Sequence, residues 1–335
     1  MVSVTIVTWN SAQYLRECFV ALRGQDYQKL DVTIVDNAST DGTRAMLREV
    51  ESRWRVIYNE SNAGFAAGQN QAIRESSGGC VLCLNPDVVL SPNFVSELMA
   101  AVEGHPCVGA ACGKLLRWDP VADEHQTRIL DSAGIYFTRN MRHLDRGAEE
   151  EDSGQYDRIQ YVFGASGAAA LFRRTFIEAV SVEGQFFDEE FFAFREDGDL
   201  AWRAQVLGWK CLYTPTAVAW HVRRVTPERR ADLPLVINWH SVKNRFLMRG
   251  KNASGWLCWR LFFPVAWRDL MTLGYALLRD WRMISAVLYP LRAFGSIRRK
   301  RAVIQARRKV SDRDLLWWFC DVPRAVEVGE EVASG

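Results

Sequence analysis

Long hydrophobic runs are absent from this sequence of 335 residues, in which no stretch of about 18 apolar residues occurs without a charge. A transmembrane helix needs about 20 such residues, so the sequence predicts no spanning helix. The first residues, MVSVTIVTWN, also lack the basic start and the long apolar segment of a signal peptide. They are typical of a first β-strand, and we therefore expect a cytoplasmic protein.

Cysteine pairs with the spacing of a zinc site or a disulfide framework are lacking as well. The eight cysteines are scattered, and Cys80 and Cys83 form a C-x-x-C inside an apolar run that is typical of a buried strand. Residues three apart on a strand point to opposite faces, and no matching second pair follows. We predict free core thiols, which fit a reducing compartment.

Charge is unevenly distributed, although the net charge is only +2. Residues 241–310 hold 16 Lys and Arg against 2 Asp and Glu, a balance of +14, so the rest of the chain carries −12. This asymmetry indicates that one segment meets an anionic surface, which is either phospholipid or nucleic acid.

Short apolar runs alternate with helical patterns through the first 115 residues. This alternation is typical of a parallel sheet covered by helices on both faces. Longer strands with glycine-containing breaks are predicted at 129–138 and 161–172, so we expect the sheet to become mixed. The fold class is therefore α/β, a mostly parallel mixed sheet flanked by helices, followed by a helical basic tail.

The predicted organisation has two parts. A catalytic α/β domain is expected over 1–232, with one half over 1–115 that binds a nucleotide and a second half over 116–232. The remaining residues, 233–335, are expected to form a helical tail rich in Arg and Trp.

Polar residues follow four of the predicted strands. Ligands of open parallel sheets bind beyond the carboxyl ends of the strands, so these residues are the first to inspect. They are Thr8-Trp9-Asn10, Asp36-Asn37-Ala38-Ser39, Asn62-Ala63-Gly64-Phe65 and Asn85-Pro86-Asp87. Each alone could be a turn or cap residue. Together they favour a nucleotide-sized cleft.

A second acidic cluster lies at Glu196-Asp197-Gly198-Asp199 and directly follows the aromatic run FFAF. Acidic residues stabilise a helix N-terminus, so capping is one explanation. Aromatic neighbours exclude water and raise the affinity of a carboxylate for protons, which suits a general base. His221 ends another predicted strand beside Arg223 and Arg224, where a pyrophosphate could be held.

Five ordered motifs resemble those of family 2 glycosyltransferases, and within that family those of the rhamnosyltransferase-like branch. The motifs are VTIVTWN at the start, IVDNASTDGT at 34–43, NAGFAAGQNQAI at 62–73, LNPDVVL at 84–90 and FFAFREDGDLAWRAQVLGWK at 191–210. The resemblance covers roughly residues 2–225. It implies the Rossmann-like GT-A fold and inverting transfer of a sugar from a nucleotide-sugar donor.

The resemblance also implies roles for individual residues. Those that would bind the donor are Thr8, Asn10, Asp36, Asn62, Gly64, Asn70, Asn85 and Asp87, with Asp36 reading a pyrimidine base. Asp87 would be the remaining acid of a D-x-D motif and would bind Mg²⁺ or Mn²⁺ together with His221. Asp197 would be the catalytic base, and Glu196 would help to bind the acceptor. One departure matters, because Asn85 replaces the first acid of the metal motif and removes one negative charge.

Residues 255–295 mix Trp, Phe and Leu with Arg, a pattern typical of helices that lie in a membrane interface. The basic clusters at 298–301 and 307–309 would add about 1 kcal/mol of attraction per charge near anionic lipid. The alternatives are a helical subdomain packed on the core and a homodimer interface. Nucleic acid is disfavoured, because no known binding module is recognisable. We expect peripheral attachment to the inner face of the plasma membrane.

The predicted function is transfer of rhamnose from dTDP-rhamnose to a saccharide or lipid-linked saccharide acceptor in cell-surface polysaccharide synthesis. A UDP-sugar remains an alternative donor, because one fold serves many sugars. A catalytically silent nucleotide-sugar-binding protein is the second alternative. A nicotinamide-dependent dehydrogenase is disfavoured, since Thr8-Trp9-Asn10-Ser11-Ala12 stands where G-x-G-x-x-G would be needed.

Overall fold

The computed structural model describes residues 1–119, 127–223 and 235–329. Arg224 and the domain boundary predicted near residue 232 lie outside these ranges. Within them, one sheet of eleven strands forms the centre of the molecule. Its strands are β1 (Val2–Thr8), β2 (Leu30–Asp36), β3 (Arg55–Tyr58), β4 (Cys80–Leu84), β5 (Val88–Leu90), β6 (Val108–Arg117), β7 (Leu130–Ser132), β10 (Gln160–Val162), β11 (Ala169–Arg173), β12 (Lys210–His221) and β13 (Val326–Glu327). A separate hairpin pairs β8 (Ile135–Phe137) with β9 (His143–Asp145).

Helices cover the sheet and continue beyond it. They are α1 (Ala12–Arg23), α2 (Thr43–Arg48), α3 (Phe65–Arg74), α4 (Phe94–Glu103), α5 (Arg174–Val180), α6 (Glu196–Val206), α7 (Leu235–Asn252), α8 (Gly255–Arg260), α9 (Phe262–Leu278), α10 (Ile284–Arg292), α11 (Phe294–Ala306) and α12 (Asp312–Trp317). No helix in the described ranges is long and apolar enough to cross a membrane.

The strand order is β13-β10-β12-β6-β11-β4-β1-β2-β3. The four strands from the first part of the chain, β1 to β4, pair in parallel, whereas β11 pairs antiparallel with both β4 and β6. The apolar runs of β1 and β4 are buried along their whole length because helices cover both faces of the sheet. The predicted mixed α/β sheet flanked by helices is confirmed.

The long strands predicted at 129–138 and 161–172 are each divided into two short strands. Gly134 separates β7 from β8 with φ +97°, a left-handed conformation that favours glycine. By contrast, β12 is a single strand of 12 residues, although its pairing with β6 shifts register between Tyr213 and Val218. Pro215 lies inside this irregularity, as expected of a residue that cannot donate to a strand ladder.

Helix α2 begins only at Thr43, after the polar segment Ser39-Thr40-Asp41. Ser39 does not cap it, because its hydroxyl donates instead to Asp36 Oδ1 over 2.5 Å. All eight cysteines are free thiols, and Cys80 and Cys83 are buried, as predicted.

The segment after residue 235 packs on the sheet domain rather than extending away from it. Leu247 and Met248 of α7, Ile304 of α11 and Leu315 of α12 belong to the same buried core as β1 and β4. Residues 326–327 then add the edge strand β13. The predicted tail is therefore in part an integral layer of the fold, and the division at 232 stays a prediction.

Candidate active site

Asp36 lies at the end of β2, fully buried beside the end of β1. The parallel register places Thr8 opposite Asp36, and the Thr8 hydroxyl donates to Asp36 Oδ1 over 3.0 Å. Ser39 donates its backbone N–H and hydroxyl, and Arg44 Nε donates to Oδ2 over 2.7 Å. The carboxylate thus accepts four hydrogen bonds from its own chain and holds the first two strand-end loops together. Its base-reading role stays a prediction.

The next loops are joined to this pair by polar side chains. Asn10 adopts a left-handed φ of 50°, and its Oδ1 accepts the backbone N–H of Thr40 over 2.8 Å. Asn62 Oδ1 accepts the backbone N–H of Gly64 over 2.9 Å, while Asn37 donates to the carbonyl of Gly64 over 3.0 Å. These bonds bring the loops after β1, β2 and β3 to one edge of the sheet.

Asn70 differs from its expected position in the nucleotide pocket. Its side-chain amide donates to the carbonyl of Phe187 over 2.7 Å and to Glu189 Oε1 over 3.0 Å, and its Oδ1 accepts the N–H of Phe187. Asn70 is 3% exposed. These contacts fasten α3 to the segment before the acidic cluster, and they give no support to a direct role in binding the nucleotide.

The Asn85-Pro86-Asp87 turn contacts two other parts of the chain. The backbone N–H of Asn85 donates to the carbonyl of Ala168 over 2.8 Å, and the carbonyl of Asp87 accepts the N–H of Val222 over 3.1 Å. His221 consequently lies beside Asp87, with 3.6 Å between His221 Nε2 and Asp87 Oδ1. The two residues predicted as metal ligands are neighbours in space.

His221 is held by a second carboxylate that the sequence did not single out. Its Nδ1 lies 2.8 Å from Asp131 Oδ2, and Asp131 is almost fully buried. Burial lowers the pKa of His221, but the charge of Asp131 and the hydrogen bonds with Asp131 and Asp87 outweigh it and raise the pKa to about 10.

Arg223 belongs to the same network. It donates to the backbone carbonyl and Oδ1 of Asp131, each over 3.0 Å, and to Asp145 Oδ2. Both ends of its guanidinium are therefore occupied by carboxylates. The pyrophosphate contact predicted for Arg223 receives no support from this arrangement.

The fit of a divalent cation depends on the atoms around Asp87. The described ranges contain no group of three or more His, Cys, Asp or Glu side chains that could hold a metal. Asn85 Oδ1, however, is buried and has no hydrogen-bond partner among the described residues, which is unusual for a polar atom. An amide oxygen, a carboxylate and an imidazole suit Mn²⁺ once the cation has replaced the proton that the raised pKa keeps on His221, and a diphosphate supplies further oxygen ligands. The residues present thus fit a metal that is completed by the donor.

The acidic cluster forms the N-terminus of α6. Asp197 Oδ1 accepts the backbone N–H of Gly198 over 2.7 Å, and Oδ2 accepts that of Gly167 over 3.2 Å. The positive end of the helix dipole also favours a negative charge here. Asp197 is 19% exposed, so the base predicted for the reaction is held in place but is accessible to a ligand.

Glu196 differs from Asp197 because, among the described residues, only its own backbone N–H favours its ionised form. It is 8% exposed, and its Oε2 is buried without a hydrogen-bond partner among the described residues. Burial and the charge of Asp197 raise the pKa of Glu196 to about 8. Burial also raises the pKa of Asp197, but the N–H groups of Gly167 and Gly198 oppose that rise. Glu196 therefore keeps its proton near neutral pH, and of the two acids Asp197 is the one whose ionised form is stabilised by the N–H groups of Gly167 and Gly198.

A model of the family "Glycosyl transferase family 2" matches residues 3–180, which is more than half of the chain. The chain belongs to glycosyl transferase family 2. This family 2 enzyme is a glycosyltransferase, as the sequence predicted.

Relatives and solved structures agree with this assignment. The N-acetylglucosaminyl-diphospho-decaprenol L-rhamnosyltransferase of Mycobacterium tuberculosis strain H37Rv is 27% identical over 332 residues, covering 91% of this chain and 98% of that protein. S. aureus TarS 1–349 superposes with a TM-score of 0.54 at 16% identity, over 91% of this chain and 90% of that one. GalNAc-T7, solved with UDP, GalNAc and Mn²⁺, has a TM-score of 0.58 at 13% identity, over 75% of this chain and 48% of that one. The fold is the predicted GT-A fold.

Helix α7 is the part of the glycosyltransferase site that sequence reasoning missed. Asn244 Nδ2 lies 2.7–2.9 Å from the carbonyls of Phe191, Ala193 and Phe194. These contacts support a strained backbone, because Phe192, Phe194 and Arg195 all have φ between 66° and 70°.

Phe192 is enclosed by the same helix. One side of its ring lies against Gly64, where a Cβ would approach Phe192 Cδ2 to 2.6 Å, and its other neighbour is His240, stacked at 4.8 Å. The aromatic run before the acids therefore packs between the Asn62–Phe65 loop and α7. Phe192 positions the acidic cluster and is not free to stack on a sugar.

Proposed function

We propose that this glycosyltransferase transfers rhamnose from dTDP-rhamnose, with inversion, to a saccharide or lipid-linked saccharide acceptor used in cell-surface polysaccharide synthesis. The observation that supports it most is geometric: the partly exposed Asp197 accepts the N–H of Gly167, and the next residue, Ala168, binds the Asn85 turn. The relative named as a rhamnosyltransferase supports the choice of sugar and of a lipid-linked acceptor.

The proposed mechanism needs one base. An acceptor hydroxyl cannot ionise appreciably at neutral pH, so Asp197 removes its proton as the oxygen attacks the anomeric carbon. General-base help of this kind contributes roughly 10²–10⁴-fold. The neutral Glu196 beside it, buried and without a partner on Oε2, avoids a second negative charge and is placed to help hold the acceptor. A single displacement from the face opposite the nucleotide inverts the anomeric centre.

The departing diphosphate lies at the other end of the site. Asp87, Asn85 and His221 would hold Mg²⁺ or Mn²⁺, which neutralises the charge that develops on the leaving group. Asp131 fixes the orientation of His221 through Nδ1, so that Nε2 faces Asp87. Second carboxylates of this kind orient histidines at metal sites.

The membrane part of the proposal rests on an exposed apolar face, formed by the large side chains of residues 256–294. They are Trp256, Trp259, Phe262, Phe263, Trp267, Leu270, Met271, Leu273, Tyr275, Leu277, Leu278, Trp281, Leu288, Leu291 and Phe294. A soluble monomer rarely exposes a contiguous apolar surface of this extent. Exposed arginines accompany it, among them Arg260, Arg279 and Arg292, which complement an anionic leaflet. We place the enzyme at the inner face of the plasma membrane.

The basic clusters contribute less to this surface than their number predicts. Lys300 is buried and donates to Asp188 over 2.6 Å, Arg301 donates to the carbonyls of Gly250 and Ala253, and Arg308 pairs with Asp312 over 2.7 Å. These charges hold the helices of the enzyme together. Arg298, Arg299, Arg307 and Lys309 are exposed, so the attraction to lipid is assigned to these four residues and to the arginines beside the apolar face.

The donor is tested with a panel of nucleotide-sugars. Wild-type enzyme is heated with dTDP-rhamnose, UDP-GlcNAc and the free nucleotides, each with Mn²⁺ or with EDTA, because a ligand that binds the native state raises Tm. We expect the largest rise with dTDP-rhamnose and Mn²⁺. A larger rise with the UDP-sugar would assign the donor to that class instead.

The base is tested with Asp197→Asn in the same assay and in turnover with a polyprenyl-diphosphate-linked saccharide. We expect an unchanged donor-induced rise in Tm and a turnover lower by roughly 10²–10⁴-fold. Glu75→Gln, a substitution of an exposed acid, is the matched control. Full turnover in Asp197→Asn would rule out Asp197 as the catalytic base. Donor binding without turnover in the wild-type protein would favour the catalytically silent binding protein.

A further inference from the structure

His143 faces Asp197 from an element that the sequence motifs do not include. It begins β9, and its Nε2 lies 3.6 Å from Asp197 Oδ1. Gly198 makes this approach possible, because a Cβ there would lie 3.1 Å from the ring Cγ of His143. The side chains of His143 and Asp197 are 18% and 19% exposed, so both are partly accessible to a ligand.

The tautomer of His143 follows from its other nitrogen. Arg195 Nη1 lies 3.1 Å from His143 Nδ1, and a guanidinium can only donate. Nδ1 therefore accepts, and the ring hydrogen is on Nε2, where it points at Asp197. Burial, together with the charge of Arg195, lowers the pKa of His143 to about 3, so the ring is neutral at physiological pH.

Arg195 is itself fixed in position. It stands before α6 with a left-handed φ of 69°, and its Nε donates to the carbonyl of Ser241 in α7 over 2.8 Å. A line of contacts thus runs from α7 through Arg195 and His143 to Asp197. Arg195 contacts Ser241 and His143 within hydrogen-bond distance, and Nε2 of His143 faces Asp197 across 3.6 Å.

We propose that His143 is a positioning residue for Asp197. The Nε2–H of His143 orients the Asp197 carboxylate and favours the ionised form of that carboxylate. This inference rests on the function proposed above. The distance of 3.6 Å is too long for a hydrogen bond in the free enzyme, but catalytic hydrogen bonds commonly shorten when substrates bind. His143 does not compete for the proton that Asp197 must accept, because Nε2 already carries a hydrogen and Nδ1 accepts from Arg195. Other titratable groups near this pair are Glu196, Asp199, Arg195 and Asp145.

Three substitutions separate this role from packing. His143→Gln keeps an N–H group near the position of Nε2, His143→Asn keeps one near Nδ1 only, and His143→Phe keeps the ring without nitrogen. We expect kcat to fall about tenfold or more in the Asn and Phe variants, since a hydrogen bond to a charged group is lost. The acidic limb of the kcat–pH profile should move to higher pH, while KM for the donor stays unchanged. His143→Gln should restore both kcat and the profile.

Equal losses in the Gln and Asn variants, or wild-type behaviour of the Phe variant, would overturn the proposal. If a variant does not fold, ¹⁵N NMR of the wild-type histidines decides it. A neutral Nε2–H ring for His143 from pH 6 to 8 is expected, and an Nδ1–H or charged ring contradicts it. Asp197→Asn, measured in parallel, separates the proposed base role of Asp197 from the proposed positioning role of His143. Its full activity would remove the proposed base, whereas an inactive Asp197→Asn with an unaffected His143→Phe would remove only the role of His143.

Discussion

Gly167 donates its backbone N–H to Asp197 Oδ2 over 3.2 Å. The next residue, Ala168, accepts the backbone N–H of Asn85 over 2.8 Å, so two adjacent peptide groups join the acidic cluster to the turn that carries Asp87. These residues are far apart in the chain, and β11, which begins at Ala169, brings them together by pairing with β4. The relative position of Asp197 and the turn that carries Asp87 therefore depends on this antiparallel pairing.

The first prediction concerns stability and pH. The pKa of Glu196 is raised in the folded protein, to about 8, by burial and by Asp197. Its contribution to stability is therefore complete below its ordinary pKa and is lost as the pH rises from about 4 to about 8. In Glu196→Gln this loss is absent. We expect the stability of the variant relative to wild type to increase by about 1 kcal/mol or more between pH 5 and pH 8, measured by urea unfolding.

Glu75→Gln is again the control, because Glu75 is half exposed and pairs with Arg55 on the surface. Its difference from wild type should stay constant with pH. Parallel stability curves for Glu196→Gln and wild type would show that Glu196 ionises normally in the folded enzyme.

The second prediction concerns the metal. Asn85→Asp places a second carboxylate beside Asp87, at a buried oxygen that has no partner among the described residues. More ligand charge raises cation affinity, so we expect Mn²⁺ to bind about tenfold more tightly or better in the presence of nucleoside diphosphate, by titration calorimetry. In EDTA the two carboxylates repel each other, and Tm should fall. Asn93→Asp, the same change at the N-cap of α4, should alter neither quantity.

The third prediction concerns the turn before α3. Gly64 has φ +87°, and a Cβ there would lie 2.6 Å from both the ring and the carbonyl oxygen of Phe192. Gly64→Ala should destabilise the enzyme by about 1–3 kcal/mol, through backbone strain and overpacking. Gly104→Ala is the matched control, since Gly104 has φ −72° and nothing within 4 Å of the added Cβ. Similar unfolding midpoints for the two variants would contradict the argument.

The fourth prediction concerns the apolar face. Phe263, Trp267 and Leu278 are 82%, 66% and 85% exposed. Replacing all three by Ser should abolish co-sedimentation with vesicles of phosphatidylglycerol, because each side chain loses roughly 1.5–3 kcal/mol of burial in the interface. The folded state should be unaffected, since these side chains lie outside the core.

The control carries three serines at exposed apolar positions elsewhere, Val20, Ile159 and Val322. It should sediment with anionic vesicles like the wild type, and neither protein should bind neutral vesicles as strongly. If the wild type fails to bind anionic vesicles and instead forms a dimer that the first triple variant loses, the face is an interface between two copies.

Much of the donor side of the site could be predicted from the sequence. Thr8 and Asp36 end neighbouring parallel strands, and parallel pairing places such ends side by side. The contact between Asn62 and Gly64 could also be predicted, because the conformation of a short turn depends mainly on its own residues. The roles of these residues still await measurement.

The surroundings of the base could not be predicted in this way. His143 approaches Asp197 from a hairpin more than 50 positions away in the chain, and Asn244 supports residues 191–194 from a helix assigned to the tail. Neither residue stands in a recognisable motif. Their contacts depend on how separate elements pack, which leaves no local pattern in the sequence.

The amino-acid sequence alone determined the α/β alternation, the polar strand ends and the position of the acids at a helix start. These features depend on neighbouring residues and on strand direction. Tertiary packing alone decided that Arg223 binds Asp131 and Asp145, that Lys300 is buried in an ion pair, and that α7 supports the acidic cluster. A charged side chain takes the partner that is nearest once the chain has folded, and its sequence neighbours do not specify that partner.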